Sequence, residues 1–185
     1  RGAVARLLVV PLEDAGDADP SRQSRLRWLD SRIAFDDEVV PPFTPLRVEG
    51  RTVSCLGRSL VIGETGLPAR LMSYFTPEVT GIGPSGRELL ASPFAFVVED
   101  GEGNALPWAP GEPEFTKLEP GAVSWRAESR CGPLVFQIRG TMEFDGFVEF
   151  KVSVSQATAA ALPPPSAAPG EPEISDIRLE IPLRR

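Results

Sequence analysis

Apolar and polar residues alternate strictly through much of the second half of the chain. In residues 122–130, Val123, Trp125 and Ala127 alternate with charged or small polar side chains. The same alternation runs through 134–139, 148–155 and 176–181. A period of two places one face of a strand against a core and the other in water. These segments therefore predict an antiparallel sheet with one solvated side.

Shorter apolar runs predict further strands in the first half. These are 3–10, 46–49, 52–56, 59–62, 67–73, 87–91 and 94–99. The pair Asp145-Gly146 favours a tight turn, so we expect 134–144 and 147–155 to form a hairpin. About ten to twelve strands exceed what one small sheet holds. We therefore expect an all-β fold of two packed antiparallel sheets, a supersandwich-like β-sandwich.

Three segments depart from this pattern. Residues 21–33 carry Leu26, Leu29 and Ile33 at helical spacing, which predicts at most one short helix. Residues 157–172 are rich in Ala and Pro, and we expect them to form a mobile loop between two strands. Residues 1–23 are expected to be a poorly ordered lead-in.

The length of the chain suits a single domain spanning residues 1–185. The first residue is Arg1 rather than Met, and the chain stops directly after a strand-like run. Both features indicate a domain excised from a longer protein. No apolar stretch approaches 18 residues, so we expect no membrane insertion.

The composition limits the kinds of catalytic and metal site that this chain can form. The chain contains 20 Pro and 17 Gly, which agrees with many short strands joined by turns. It contains no His, which excludes Ser-His-Asp and Cys-His catalysis and most zinc sites within this chain. We expect neither a metal nor a cofactor. The net charge of -7 argues against a nucleic-acid partner.

Cys55 and Cys131 are the only two cysteines. They would form a disulfide if strands 52–56 and 123–131 lay side by side. The alternative is a pair of buried free thiols, since Cys often serves as a small core residue. The sequence favours neither.

Carboxylates are the remaining candidates for catalysis. Glu143, Asp145 and Glu149 flank the Asp-Gly turn, where a hairpin tip can bring two acids as close as a retaining glycosidase requires. Nothing in the sequence drives their pKa values apart, so a solvated turn is the favoured interpretation. A free-standing glycosidase built on these acids is therefore the weakest of the functional hypotheses.

Aromatic residues are candidates for contact with a sugar or with a neighbouring domain. Trp108 lies in a segment rich in Pro and Gly, where a large ring either anchors the loop or meets a partner. Phe43, Phe94 and Phe115 are further candidates for apolar residues left over after the sheets pack.

Several motifs occur in an order that resembles a known family. They are the run from Arg27 to Leu46, Leu56-Gly57-Arg58 with Gly66-Leu67-Pro68, Met142-Glu143-Phe144-Asp145-Gly146, and Asp176-Ile177-Arg178-Leu179-Glu180-Ile181-Pro182. Over residues 24–185 the chain resembles the N-terminal β-sandwich domain of glycoside hydrolase family 123-like proteins. The first motif departs from the family's usual pattern at Asp30 and Ala34.

The resemblance implies a parent glycosidase acting on N-acetylgalactosamine-type glycans, with a catalytic barrel downstream in the same polypeptide. It implies that the catalytic Asp-Glu pair lies in that barrel, so no catalytic residue is assigned here. An extracytoplasmic location follows from the resemblance alone. The expected function is a non-catalytic accessory domain. The alternative is a carbohydrate-binding module that contacts glycan through loop aromatics.

Overall fold

The computed structural model describes residues 38–157 and 173–184. Several predictions fall outside these ranges: the lead-in 1–23, the strand 3–10, the helix 21–33 and, apart from Ala157, the loop 157–172. Within the described ranges the chain forms twelve β-strands and no helix. The predicted all-β class is confirmed.

The first sheet is an antiparallel meander of five strands in chain order. Its strands are β1 (Arg47–Glu49), β2 (Thr52–Cys55), β3 (Arg58–Ile62), β4 (Pro68–Phe75) and β5 (Ile82–Glu88). Gly50 turns β1 into β2 with a φ of 57°, and Gly66 turns β3 into β4 with a φ of 85°. Both values lie in the left-handed region that glycine adopts without steric cost.

The second sheet contains β7 (Trp108–Ala109), β8 (Glu114–Leu118), β9 (Ala122–Cys131), β10 (Leu134–Glu143) and β11 (Val148–Gln156). Its order is β11-β10-β9, with β7 and β8 pairing successive parts of the far edge of β9. The predicted hairpin of β10 and β11 is confirmed, and its register runs without a shift from Leu134 to Met142.

A two-stranded ribbon completes the fold. It consists of β6 (Ala95–Asp100) and β12 (Ile174–Glu180). Phe94 N donates to Pro68 O (2.9 Å), which joins the ribbon to the first sheet. Phe96 of β6 packs against Phe136 of β10 with ring centroids 5.2 Å apart. The ribbon and the first sheet thus contact each other, and the ribbon covers one end of the second sheet.

The interior between the layers uses the alternating residues that the sequence predicts. Val123, Trp125 and Ala127 on β9 are all buried, and Trp125 Nε1 donates to Gly66 O across the two sheets at 2.8 Å. Phe136 and Ile138 on β10 are also buried. Packing of two sheets through their apolar faces makes the domain a β-sandwich, as predicted.

Three details differ from the sequence-based expectations. Residues 82–88 form strand β5, which contains Pro84 and two glycines, and the strand predicted at 87–91 overlaps only its end. Pro84 is tolerated because, within the described ranges, β5 is an edge strand that pairs only with β4. Trp108 belongs to strand β7 rather than to a loop, because Trp108 and Ala109 pair with Cys131 and Arg130.

Cys55 and Cys131 are both free thiols. The strand pairing that a disulfide would have required does not occur, because β2 lies in the first sheet and β9 in the second. Cys131 is completely buried, and its Sγ contacts Leu106 O at 3.6 Å. Cys131 thus matches the alternative of a buried free thiol, whereas Cys55 is a free thiol that is only partly buried.

Candidate functional site

The most unusual surface of the domain is apolar. Val152 and Val154 on β11 are 39% and 44% exposed, and Ile177, Leu179 and Ile181 on and after β12 are 42%, 43% and 49% exposed. We call these five residues the apolar edge. Their strands place them on inner faces, since Val154 is the register partner of buried Phe136 and Ile177 that of buried Val98.

Each half of the apolar edge lies on an outer strand, β11 at one end of the second sheet and β12 in the two-stranded ribbon. On the opposite side of β6, Leu106 N donates to Val98 O at 2.8 Å, and two residues later the chain enters β7 beside β9. The Leu106 side of the ribbon therefore coincides with the β7 side of the second sheet. β12 pairs with the opposite edge of β6, and β11 lies at the opposite end of the second sheet from β7.

The outer face of β12 has a different character. Arg178 Nη2 contacts Glu99 Oε1 at 2.8 Å, while its other nitrogens contact Asp176 Oδ2 at 2.7 Å and Glu180 Oε1 at 3.1 Å. The charged side chains on the outer face of β12 are thus paired with one another. The apolar side chains on its inner face are partly exposed to water. Exposed apolar side chains that group on a surface are typical of interaction sites.

The sequence predicts leftover apolar surface at four other residues. Phe43, Phe94, Trp108 and Phe115 are each half-buried and lie in different parts of the fold. Phe43 packs on Phe144 with ring centroids 5.3 Å apart, and Trp108 packs on Phe136 at 4.7 Å. Within the described ranges, no ring contact joins any two of the four.

The carboxylates of Asp145 and Glu149, near the hairpin tip, have partners within the hairpin. Asp145 Oδ1 accepts a hydrogen bond of 2.8 Å from Phe147 N, and Glu149 pairs with Lys151 at 3.2 Å. Groups of three or more His, Cys, Asp or Glu able to hold a metal do not occur in the described part of the chain. In the same ranges, no helix has the length and apolar character needed to cross a bilayer.

A family model described as glycoside hydrolase 123, third domain, matches residues 46–185. The chain belongs to this family. No curated protein and no solved structure gives a significant match. The resemblance found in the sequence is therefore confirmed at the level of the family. The N-terminal position that it implied is not confirmed, because the matching description is that of a third domain.

The motifs that carry the resemblance to glycoside hydrolase 123 proteins have structural roles in this domain. Phe144, from the Met142–Gly146 motif, packs on Phe43 of the first motif. Arg58 Nη1 donates to Asp145 O at 3.1 Å, which ties the β2–β3 hairpin to the β10–β11 turn. These contacts join separate parts of the sandwich.

Proposed function

We propose that the chain is a non-catalytic accessory domain of a glycoside hydrolase 123 protein. It supports a catalytic domain in the same polypeptide that acts on N-acetylgalactosamine-type glycans. The apolar edge is the surface that meets this catalytic domain. The choice of sugar comes from the family resemblance, and the docking role comes from the structure of the edge.

The observation that carries the proposal is the exposure of Val154 and Leu179 on inner strand faces. A strand face that points into a sandwich and still meets water is incompletely covered. Full burial of one such side chain contributes about 1.5–3 kcal/mol, so a covering domain would gain several kcal/mol from five of them before ordering costs. A domain of the same polypeptide is already tethered, which lowers the entropic cost of docking.

Three carboxylates of the second sheet have partners on its surface, which supports a role without catalysis. Glu114, Glu128 and Glu149 are each engaged by a neighbouring Arg, Gln or Lys side chain on the sheet surface. The whole chain lacks His. Trp108, the proposed sugar platform of a carbohydrate-binding module, has its ring against Phe136. A module that stacks sugar on loop aromatics therefore gains no support from these contacts.

Binding between the chain and the separately expressed remainder of its parent polypeptide tests the proposal. Val154→Glu and Leu179→Glu each bury a charge in the docked state, so we expect either to weaken association at least tenfold. Ser153→Glu is the matched control, since it adds the same charge one residue away on the outer face of β11. Equal affinity for Leu179→Glu and wild type would contradict docking through the edge.

A catalytic assay separates docking from sugar preference. If the domain supports the catalytic domain, the full-length parent should lose activity or solubility when residues 46–185 are removed. Hydrolysis of an aryl N-acetylgalactosaminide by the intact parent tests the substrate class independently. An intact parent that cleaves only other aryl glycosides would overturn the substrate while leaving the docking role standing.

A further inference from the structure

The outer face of the second sheet carries three cations side by side. Arg126 on β9 is the register partner of Arg139 on β10, and Arg139 is the register partner of Lys151 on β11. Directly opposite side chains in an antiparallel pair lie about 5 Å apart at Cβ, and like charges at that distance repel. The row is therefore unfavourable unless an anion neutralises it.

Two of these cations are partly neutralised by carboxylates, and the central one is not. Arg126 donates through Nη2 to Glu114 Oε2 at 2.7 Å, and Lys151 Nζ lies 3.2 Å from Glu149 Oε2. Arg139 forms no hydrogen bond or ion pair with any residue in the described part of the chain. Its guanidinium thus presents five N–H donors between two other cations.

An open hollow of about 400 Å³ lies along this row. Arg126, Arg139, Lys151, Glu149, Ser124 and Thr141 contribute to its lining. The named lining therefore holds three cations and a single carboxylate, in a protein with a net charge of -7. Ser124 Oγ and Thr141 Oγ1 share one hydrogen bond of 3.0 Å, which leaves one hydroxyl hydrogen free to donate.

A second hollow of about 320 Å³ adjoins the first and shares Arg126 and Arg139 with it. Its lining also includes Glu112, Glu114 and Glu128, so its character is acidic. Arg126 and Arg139 thus separate a cationic half from an acidic half on one sheet face. Carboxylates accept hydrogen bonds from hydroxyl groups, whereas a guanidinium and an ammonium bind oxyanions.

We propose that this face binds an acidic glycan, with a sulfate or carboxylate group on Arg139 and Lys151. A neutral sugar next to that group then places its hydroxyls on the acidic half. The bound anion reduces the repulsion among the three cations. The planar guanidinium of Arg139 can donate two hydrogen bonds to it. The oxyanion contact follows from the hollow itself, whereas the choice of a galactosamine glycan rests on the proposed function.

Isothermal titration of the 185-residue chain with a chondroitin 4-sulfate hexasaccharide tests the proposal. Low ionic strength is required, because salt screens exposed charges. Arg139→Gln should weaken binding roughly tenfold, the loss typical of one charge-assisted contact. Lys151→Gln should weaken it by a smaller factor. Arg87→Gln is the matched control, since Arg87 is an exposed arginine on β5 in the other sheet.

The unfolding temperature gives a second readout without any ligand. Because Arg139→Gln removes one of three like charges, it should leave the unfolding temperature unchanged or raise it slightly. A variant that unfolds at a lower temperature would contradict the repulsive row. Weakening by Arg87→Gln equal to that by Arg139→Gln would reduce the effect to net charge and overturn the site.

Two further ligands test the parts of the proposal separately. Desulfated chondroitin retains the carboxylates, and its binding relative to the sulfated form identifies which oxyanion Arg139 prefers. Dextran sulfate carries sulfate without galactosamine. If dextran sulfate binds through Arg139 as tightly as chondroitin sulfate, the oxyanion contact stands and the galactosamine ligand is overturned. If no anionic glycan binds the wild-type chain, the whole inference fails.

Discussion

The indole nitrogen of Trp125 on β9 donates a hydrogen bond of 2.8 Å to the carbonyl oxygen of Gly66. Gly66 ends the tight turn between β3 and β4, so this contact joins the centre of the second sheet to a turn of the first. Both residues are buried. A Cβ on residue 66 would come within 2.8 Å of Ala127 Cβ, which explains why the turn can approach the second sheet only with glycine at that position.

Replacing Trp125 by Phe should destabilise the domain. The substitution leaves the buried carbonyl of Gly66 without this donor, which costs about 1–3 kcal/mol. Equilibrium urea unfolding followed by far-UV circular dichroism measures the change. Trp108→Phe is the matched control, because the indole nitrogen of Trp108 donates to no other residue in the described ranges. Equal losses for the two variants would show that ring volume, and not the hydrogen bond, is responsible.

Gly140→Ala should destabilise the domain by overpacking. A Cβ at residue 140 would overlap Cε2 and Cζ2 of the Trp125 indole, which lies against the backbone of β10. Overpacking of a core costs about 1–3 kcal/mol, and occasionally more. Gly81→Ala is the control, since the nearest atom to its new Cβ is Thr76 Cγ2 at 3.7 Å.

A Trp125→Leu background identifies the source of the Gly140→Ala effect. Leu lacks the overlapping aromatic atoms, so the added methyl should cost less in that background than in the wild type. Chemical denaturation of the four proteins of the double-mutant cycle gives the coupling energy, and contacting residues typically couple by about 0.5–3 kcal/mol. Additive losses would place the strain elsewhere in β10.

Both thiols should react slowly with Ellman's reagent in the native state. Burial raises the pKa of Cys55 and of Cys131 above the ordinary thiol value, and for Cys55 the nearby Arg58 opposes this effect only in part. Cys131 is completely buried, so we expect it to react only on unfolding. Fast labelling of Cys131 in the native protein would contradict its position in the core.

The same pKa shifts predict an alkaline loss of stability. The thiols of the unfolded chain ionise first, near pH 8.5, so the native state holds more protons above that pH. The free energy of unfolding should therefore fall as the pH rises through this range. The double substitution Cys55→Ser and Cys131→Ala should reduce that fall.

Mass spectrometry after alkylation of the unfolded, unreduced chain should show two modified thiols.

Asp100 should make the domain sensitive to acid. Its Oδ1 accepts hydrogen bonds from Asn104 N at 2.8 Å and Glu102 N at 2.9 Å. These bonds, chiefly that from Asn104 N, hold the pKa of the Asp100 carboxyl below its usual value. A lowered folded-state pKa adds stability that is present above the unfolded pKa of about 3.9 and is lost as the pH falls through the folded pKa.

Unfolding temperatures measured from pH 6 down to pH 2 test this dependence. Asp100→Asn keeps the shape of the side chain but removes its titration, so its unfolding temperature should fall less steeply with acid than that of the wild type. Glu102→Gln serves as the control because its backbone N–H, rather than its side chain, binds Asp100. Parallel curves for Asp100→Asn and wild type would show that other carboxyls dominate the acid response.

The sequence by itself determined most of the strands and the direction of most of their side chains. Alternation of period two is a local property, so it identified Val123, Trp125 and Ala127 as core residues without reference to their partners. The Asp145-Gly146 pair located the β10–β11 hairpin because turn conformation depends on a few consecutive residues. Strand β5 was missed because its Gly-Pro-Ser-Gly stretch has no apolar alternation, and pairing with β4 supplies its stability instead.

Only the tertiary structure decided which strands became edges and which side chains met across the sheets. Val154 and Leu179 follow the same alternation as buried Phe136, yet they remain partly exposed because too little of the fold covers them. Arg139 looks like any exposed arginine in the sequence, and its position between Arg126 and Lys151 exists only through the register of three strands. Burial and charge environment depend on residues far apart in the chain, so local patterns predict strand faces but not what covers them.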